Sequence, residues 1–386
     1  MITVKRIETI NQVEQLRDTW MLLIDNFIPN SIELTFEWQI SYWKHLSGNA
    51  SLFILIAIKN GEIIAIAPLK IHVESILGIH FRTLEPIGAS ESNYQNLVVG
   101  EQSQEIIEAF LNYIYEHNSC WDVFRLPKIP GDSLTIHHIN EYTDKYHFPH
   151  SSFNDQCAYL EIGPSWQNYQ NSLDSKRKHR VNNRIRKAAR ELGNLKLNCC
   201  AYPSEYIGEV EQFFNLHRKR WNPTDTPSQF NQIEQCEFYK EAGARLMGKG
   251  KYNMYTLKVG WATMGLLIAF FSDQYALIQI IAYDPKFSTY SPMIILMELF
   301  VEEMYNKGIH TIDWGTYYDW KELWTNRLKT RHHLTLYSKR FNSRLAFLIL
   351  KLYDAIKKTA KKNEYISKKY RMWRRSKFAD QTIHQE

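Results

Sequence analysis

The tightest constraint on this fold is a pair of apolar runs hinged on Asn60-Gly61, with Leu52 to Ile58 leading in and Ile63 to Ile71 leading out. Asn-Gly between apolar runs favours the two-residue turn with both central residues at positive φ, which makes this stretch a β-hairpin. Upstream, residues 12–46 read as helical, because Leu16, Trp20, Leu23 and Phe27 recur at helical spacing and Pro29 breaks the run. Downstream come a strand near Phe81–Leu84, a helix through about 103–117, and a strand at Trp121–Leu126 closed by Pro127 and Pro130. The second half repeats this order. Helices over about 205–220 and 232–248 precede the strands Tyr252–Val259, Thr263–Phe271 and Tyr275–Tyr283. A helix over about 292–307, capped by Gly308, leads to the strand Ile309–Trp314. Single cores stop growing at roughly 250–300 residues. A chain of 386 therefore reads as two units of one architecture, although the halves share no clear residue identity.

Charge is unevenly placed. The formal net charge is +6, yet Lys339 to Lys377 alone holds 14 Lys/Arg against Asp354 and Glu364, so the rest is mildly acidic. The basic character describes a tail and local patches, not a whole surface for nucleic acid. Five cysteines without a CxxC spacing make neither a disulfide framework nor a zinc site, and fit reduced thiols. The N-terminus carries charges where a signal peptide needs an apolar run, and no stretch reaches about 18 uncharged apolar residues. The expected location is cytoplasmic, with the inner membrane face as a peripheral site.

Four segments bear on chemistry. Lys176 to Arg190 has eight Lys/Arg and no acid, while Val181, Ile185, Ala188 and Leu192 fall on one helical face. Lys176, Arg177, Arg180 and Arg184 on the other face are candidates for binding an anion; a solvated surface helix is the plainer alternative. Ser291-Pro292 is a natural helix start, whose free N–H groups suit phosphate. Asp313 ends a strand before Trp314-Gly315 and is a candidate base, or else a structural partner of Lys321 or Arg327. His217 suits proton transfer near neutrality or a buried hydrogen bond, and Lys321 suits a phosphate or carboxylate contact. A serine-hydrolase elbow, a Walker loop, HExxH and a Rossmann fingerprint are absent.

In order and spacing, Glu85-Pro-Ile-Gly88, Asn93-Tyr94-Gln-Asn-Leu97, Trp121-Asp122, the Lys/Arg helix, His217 with Arg220-Trp221, and Phe238-Tyr239 carry a resemblance. It continues through Ala282-Tyr-Asp-Pro285, Tyr290-Ser-Pro292, Gly308, Asp313-Trp-Gly315 and Lys321 to Trp324. Together they resemble the GNAT-type acetyltransferase-like family, in the branch associated with cellulose and exopolysaccharide biosynthesis and related to the Fem aminoacyltransferases. The resemblance covers about residues 50–340 and is strongest over 170–325. It implies an α/β (α+β) fold of tandem GNAT-like domains, each a mixed, mainly antiparallel sheet flanked by helices. The units would be a degenerate one at 1–155, an acyltransferase unit at 156–340, and a basic helical tail at 341–386. The implied reaction moves an acyl group from acetyl-CoA or another acyl-CoA to an amine or hydroxyl of a small molecule or envelope-polysaccharide precursor, with no metal. Pantetheine would lie along a splayed strand at Ile280 and Ile281, and the pyrophosphate would meet Ser291, Met293 and Ile294, with Lys321 as a further cofactor contact. Asp313 or His217 would be the base, and Tyr283 a donor to the leaving thiolate. The family usually has Gly after Ser-Pro, where this chain has Met293; a side chain there crowds a phosphate. Two further readings are a Fem-like transferase holding aminoacyl-tRNA on the cationic helix, and a non-catalytic scaffold of polysaccharide assembly.

The tail has a pattern of its own. Leu345, Leu348, Leu352 and Ile356 form a stripe among Lys351, Lys357, Lys358, Lys361 and Lys362. Such a helix suits either an anionic membrane surface or packing on the body.

Overall fold

The computed structural model describes residues 1–362 apart from Leu77, Pro164 and Asn326. The first half runs β1 (Thr3–Ile7), α1 (Ile10–Gln15), α2 (Arg17–Phe27), α3 (Phe36–Leu46), β2 (Ser51–Leu52), β3 (Ile54–Lys59) and β4 (Glu62–Ala67). It continues with β5 (Leu69–Ile76), β6 (Ile79–Pro86), β7 (Val99–Gly100), α4 (Gln104–Glu116), β8 (Val123–Pro130) and α5 (Leu134–Tyr146). Asn60 and Gly61, at φ 53° and 85°, close the hairpin between β3 and β4, as the dipeptide requires. The prolines expected to end the strand at Leu126 lie within β8 instead. Pro127 falls where the ladder between β8 and its neighbour skips a residue, so its missing N–H leaves no bond unmade.

β9 (His150–Glu161) leads into the second half: α6 (Trp166–Ser172), α7 (Ser175–Leu192), β10 (Leu195–Cys200), α8 (Pro203–Trp221), α9 (Ile233–Met247) and β11 (Tyr252–Val259). There follow β12 (Ala262–Ser272), β13 (Tyr275–Tyr283), α10 (Pro292–Asn306), β14 (Thr311–Thr316), β15 (Leu328–Leu336) and α11 (Phe341–Lys362).

Among the described residues, one sheet joins both halves in the order β10-β11-β12-β13-β14-β9-β15-β8-β6-β5-β2, and a smaller one runs β1-β3-β4-β7. β9 passes through residue 155, and β15 lies between β9 and β8, so strands from both ends of the chain meet in the middle of one sheet. Each half contains one parallel pair, β6 with β8 and β13 with β14, each formed across an intervening helix, α4 in the first half and α10 in the second. One core continues across both halves under α2, α3, α8 and α9, where Trp20, Trp38, Phe213 and Phe238 are fully buried. Ile295, Leu296 and Phe300 of α10 fill the core on the other face of the second half.

The packed face of α11 is not the stripe read from sequence. Ala346, Phe347, Leu350 and Tyr353 pack on Phe81, Val123 and Tyr337, and Leu345, Leu348 and Leu352 face outward. The helix carries two apolar rows, and the row bearing the aromatic rings buries more surface. Residues 363–386 lie outside the described residues, as do the side chains of Ile356 and the lysines that follow it in α11.

Candidate active site

β13 and β14 pair at only three positions, Tyr275↔Thr311, Ala276↔Ile312 and Leu277↔Asp313, and then part. β13 stays paired with β12 as far as Tyr283, while β14 turns away at Gly315 (φ 64°) to follow β9. From Gln279 onward, the edge of β13 facing the fork has no strand partner among the described residues. Alternate backbone N–H and C=O groups along it point into the gap.

Asn93, from the loop between β6 and β7, closes the apex of this fork. Its Nδ2 donates to Gln279 Oε1 at 2.6 Å, and a Cβ placed on Gly315 would stand 2.6 Å from its Oδ1. Glycine is thus required at 315 both by its backbone angle and by this contact. Gln279 Nε2 donates in turn to the carbonyl of Glu91 at 2.5 Å. The loop itself is fastened by buried groups. Glu33 accepts the N–H of Asn93 at 2.5 Å and of Tyr94 at 2.9 Å, Lys128 Nζ donates to the carbonyls of Ala89 and Ser92, and Arg331 donates to the carbonyl of Asn93. Burial pushes the Glu33 carboxyl up to about 7, against the pull of the two N–H groups and Lys128. Glu91 is half-buried and also raised by burial; it accepts from Gln235 Nε2, Tyr239 Oη and Gln229 Nε2.

Asp313 lies at the base of the fork and is fully buried. It accepts from the hydroxyls of Tyr94 and Tyr275 and the N–H of Gly315, each at 2.8 Å, and pairs with Lys329. Three of these donors meet at Oδ2 and the Gly315 N–H takes Oδ1, so the buried carboxylate ties Tyr94 of the first half to β13, β14 and β15 of the second. Lys321 is buried on the carbonyls of Trp314 and Thr316, and burial pushes its ammonium down to about 8 against the charge of Asp313. It holds the turn after β14 and is not an open contact for a phosphate.

The other expected residues divide into two neighbourhoods. Asp313 pairs with Leu277, six residues from Tyr283, which at strand rise is roughly 20 Å. Tyr283 also stands four residues beyond Gln279, roughly 13 Å along the strand. Tyr283 lies instead under the Arg220 guanidinium, 5.3 Å from its ring centroid, with Trp221 on the same cation. His217 is buried beside Trp221 with Nδ1 2.8 Å from Ser228 Oγ, and burial pushes it down to about 4. An open cleft of about 590 Å³ lies beyond the far end of β13, lined by Gln212, Lys219, Trp261, Thr263, Asp284 and Lys286.

Ile280 and Ile281 are half-buried on the free strand, packed to opposite cores as β alternation dictates. Ser291 does precede α10, but at φ 56° and with no side-chain bond to the helix start; Met293 and Ile294 pack toward the core. On α7, Lys176 and Arg180 are exposed and Arg184 is partly so. Arg177 is withdrawn: it is buried, forks onto Glu298 and donates to the carbonyl of Leu323. The contacts Arg177–Glu298 and Lys187–Tyr290 set α7 antiparallel to α10, which brings Arg184 level with the first turn of α10. A group able to offer three metal ligands, His137, His138 and Glu141, lies at the surface of α5 in the first half.

The sequence reading missed Glu33, Glu91 and the role of Asn93 and Tyr94. Glu33 lies in a short turn some 60 residues from the loop it holds, and the loop of Glu91, Asn93 and Tyr94 has no periodicity, with Asn93 and Tyr94 meeting partners 186 and 219 positions away.

The open fork lies in the second half of a mixed α/β fold. Residues 175–322, well under half of the chain, match the model of the acetyltransferase (GNAT) domain. No curated protein sequence matches the chain. Among solved structures, the chain is similar to FemX, with a TM-score of 0.61 at 11% identity over 89% of this chain and 99% of that one. It is similar also to L-PGS from Bacillus licheniformis, with a TM-score of 0.53 at 10% identity over 86% and 95%. A third is the C-terminal domain of a putative lysylphosphatidylglycerol synthetase from Agrobacterium fabrum, with a TM-score of 0.53 at 9% identity over 89% and 96%. At these identities the likeness is one of fold.

Proposed function

We propose that the chain is an acyltransferase whose donor lies in the fork between β13 and β14. The acyl group would pass from acyl-CoA to an amine or hydroxyl of a small molecule or envelope-polysaccharide precursor. The observation that carries this is the unpartnered strand edge from Gln279 to Tyr283, closed at one end by Asn93 and continued at the other by the start of α10. A pantetheine arm carries amides that pair with such an edge, and its phosphates then reach Arg184 and the first turn of α10. The first half offers no equivalent. Its parallel pair is followed by a loop bonded to β8 through Gln95 N–H and the Lys128 carbonyl, and Lys128 Nζ donates back to the loop carbonyls of Ala89 and Ser92.

In this reading the thioester carbonyl comes to the apex, beside Gln279 and Asn93. The acceptor nitrogen or oxygen attacks the carbonyl carbon and the C–S bond breaks. Glu91 accepts the acceptor's proton and returns it to the departing sulfur. Support for Glu91 is its raised carboxyl and its link through Tyr239 and its own carbonyl to the apex residue Gln279. Glu91→Gln is expected to lower kcat by 10²-fold or more with little change in KM; an unchanged kcat removes Glu91 from the reaction.

A second reading keeps the chemistry and changes the donor to an aminoacyl ester of tRNA. It is favoured by α7, where Lys176, Lys178, Arg180, Arg184 and Arg186 have no ion-pair partner among the described residues. A thermal-shift panel of acyl-CoAs and bulk tRNA separates the readings. A ligand at about 100 times Kd adds about 2.7 kcal/mol of stability. Stabilisation by neither ligand class points to the non-catalytic scaffold.

A further inference from the structure

Helix α11 is apolar on two opposite sides. One row is used: Ala346, Phe347, Leu350 and Tyr353 close the core over Phe81, Val123 and Tyr337. The other row, Phe341, Leu345, Leu348 and Leu352, recurs at spacings of four, three and four. At about 100° per residue these side chains fall within about 60° of one another, roughly opposite the packed row. They are 79%, 37%, 61% and 58% exposed. A helix that has already covered the core gains nothing in water from a second aliphatic stripe, so this row marks a contact surface.

The charges around it are nearly all of one sign. Arg344 and Lys351 flank the row on one side, Lys339 and Arg340 precede it, and Asp354 is the one acid against eight Lys/Arg in the sequence from Lys339 to Lys362. We propose that this face docks on an anionic lipid bilayer, with α11 in the plane of the interface, its leucines among the acyl chains and its cations at the headgroups. Charge selects this occupant. A second copy would oppose the same four cations to their like. A bilayer instead offers an unpatterned apolar layer under negative charge, which the stripe matches without any specific polar partner. No described helix is long and apolar enough to cross a membrane, so the contact is superficial. The mildly acidic remainder of the chain is repelled by the same surface, which orients the protein with this face down.

The test uses the full chain and sedimentation with vesicles of phosphatidylcholine, alone or with about a third phosphatidylglycerol. Binding is expected only to the anionic vesicles and to weaken as salt is raised. Leu348→Gln with Leu352→Gln is expected to weaken binding about tenfold per leucine, with Tm unchanged because both side chains already face water. Arg344→Glu with Lys351→Glu is expected to abolish the preference for anionic lipid. Equal pelleting of the leucine variant and the parent overturns the proposal, as does binding without preference for charge. A concentration-dependent dimer lost in the leucine variant, without vesicle binding, overturns it in favour of self-association.

Discussion

Glu33 ties the fork to solvent pH, although it lies far from the fork in sequence. Its carboxylate holds the N–H groups of Asn93 and Tyr94, and so holds the wedge at the apex. Burial raises its folded pKa to about 7 from an ordinary value of 4.5, so between those values the folded chain keeps a proton that the unfolded chain has released. The stability associated with that proton is complete below about pH 4.5 and is lost as pH rises through about 7. Between pH 5 and pH 8 the two pKa values give a loss of about 2–3 kcal/mol at 1.36 kcal/mol per unit. Other groups titrate in that range, Lys321 among them, so the informative quantity is the difference from Glu33→Gln. The amide satisfies one of the two N–H groups and opposes the other, costing about 1–3 kcal/mol against the parent at pH 5, and it does not titrate. Urea unfolding of both proteins at pH 5, 6, 7 and 8 is therefore expected to show the parent ahead at pH 5 and its lead shrinking by about 2–3 kcal/mol by pH 8. A difference that stays constant across that range refutes the reasoning, because Glu33 then titrates as an exposed carboxylate does.

Gly315→Ala combines an unfavourable backbone angle with a 2.6 Å contact to Asn93, and is expected to cost about 2–3 kcal/mol and displace the wedge. Calorimetry checks the first effect, and a changed KM for the acyl donor checks the second. Arg177→Met leaves the partly buried Glu298 with only Trp324 Nε1 as a donor and is expected to lose about 2–4 kcal/mol, whereas Arg180→Met on the exposed face stays within about 0.5 kcal/mol. Asp313→Asn turns an acceptor of four donors into a group with donors of its own. It is expected to destabilise the seam between the halves by about 3 kcal/mol or more, seen as earlier hydrogen exchange in β14 and the loop around Tyr94.

The elements were legible where local chemistry dictates them. Asn60-Gly61 announced its hairpin, and the repeated order of helices and strands reappears as one parallel strand pair across a helix in each half. The splayed strand at Ile280 and Ile281 comes only from a family resemblance, because a missing strand partner leaves no mark on the strand's own residues. The side chains were harder to read. Asp313 looks like a catalytic base at a strand end, and only the fold shows Tyr94, Tyr275 and Lys329 converging on it. Arg177 is one cation among eight until Glu298, 121 residues on, draws it inside. Leu345, Leu348 and Leu352 form a true apolar stripe, but periodicity does not say which of two stripes on a helix meets the core. Asn93, in a loop without pattern, acquires its role only when strands from opposite halves come together around it.

The central claim is that the donor occupies the free edge of β13, and hydrogen exchange resolved along that strand tests it most directly. With saturating acetyl-CoA, slowed exchange is predicted in Gln279–Tyr283 and in the first turn of α10, with the matching segments of the first half unchanged. Protection elsewhere, with Gln279–Tyr283 exchanging as in the free protein, would contradict the account.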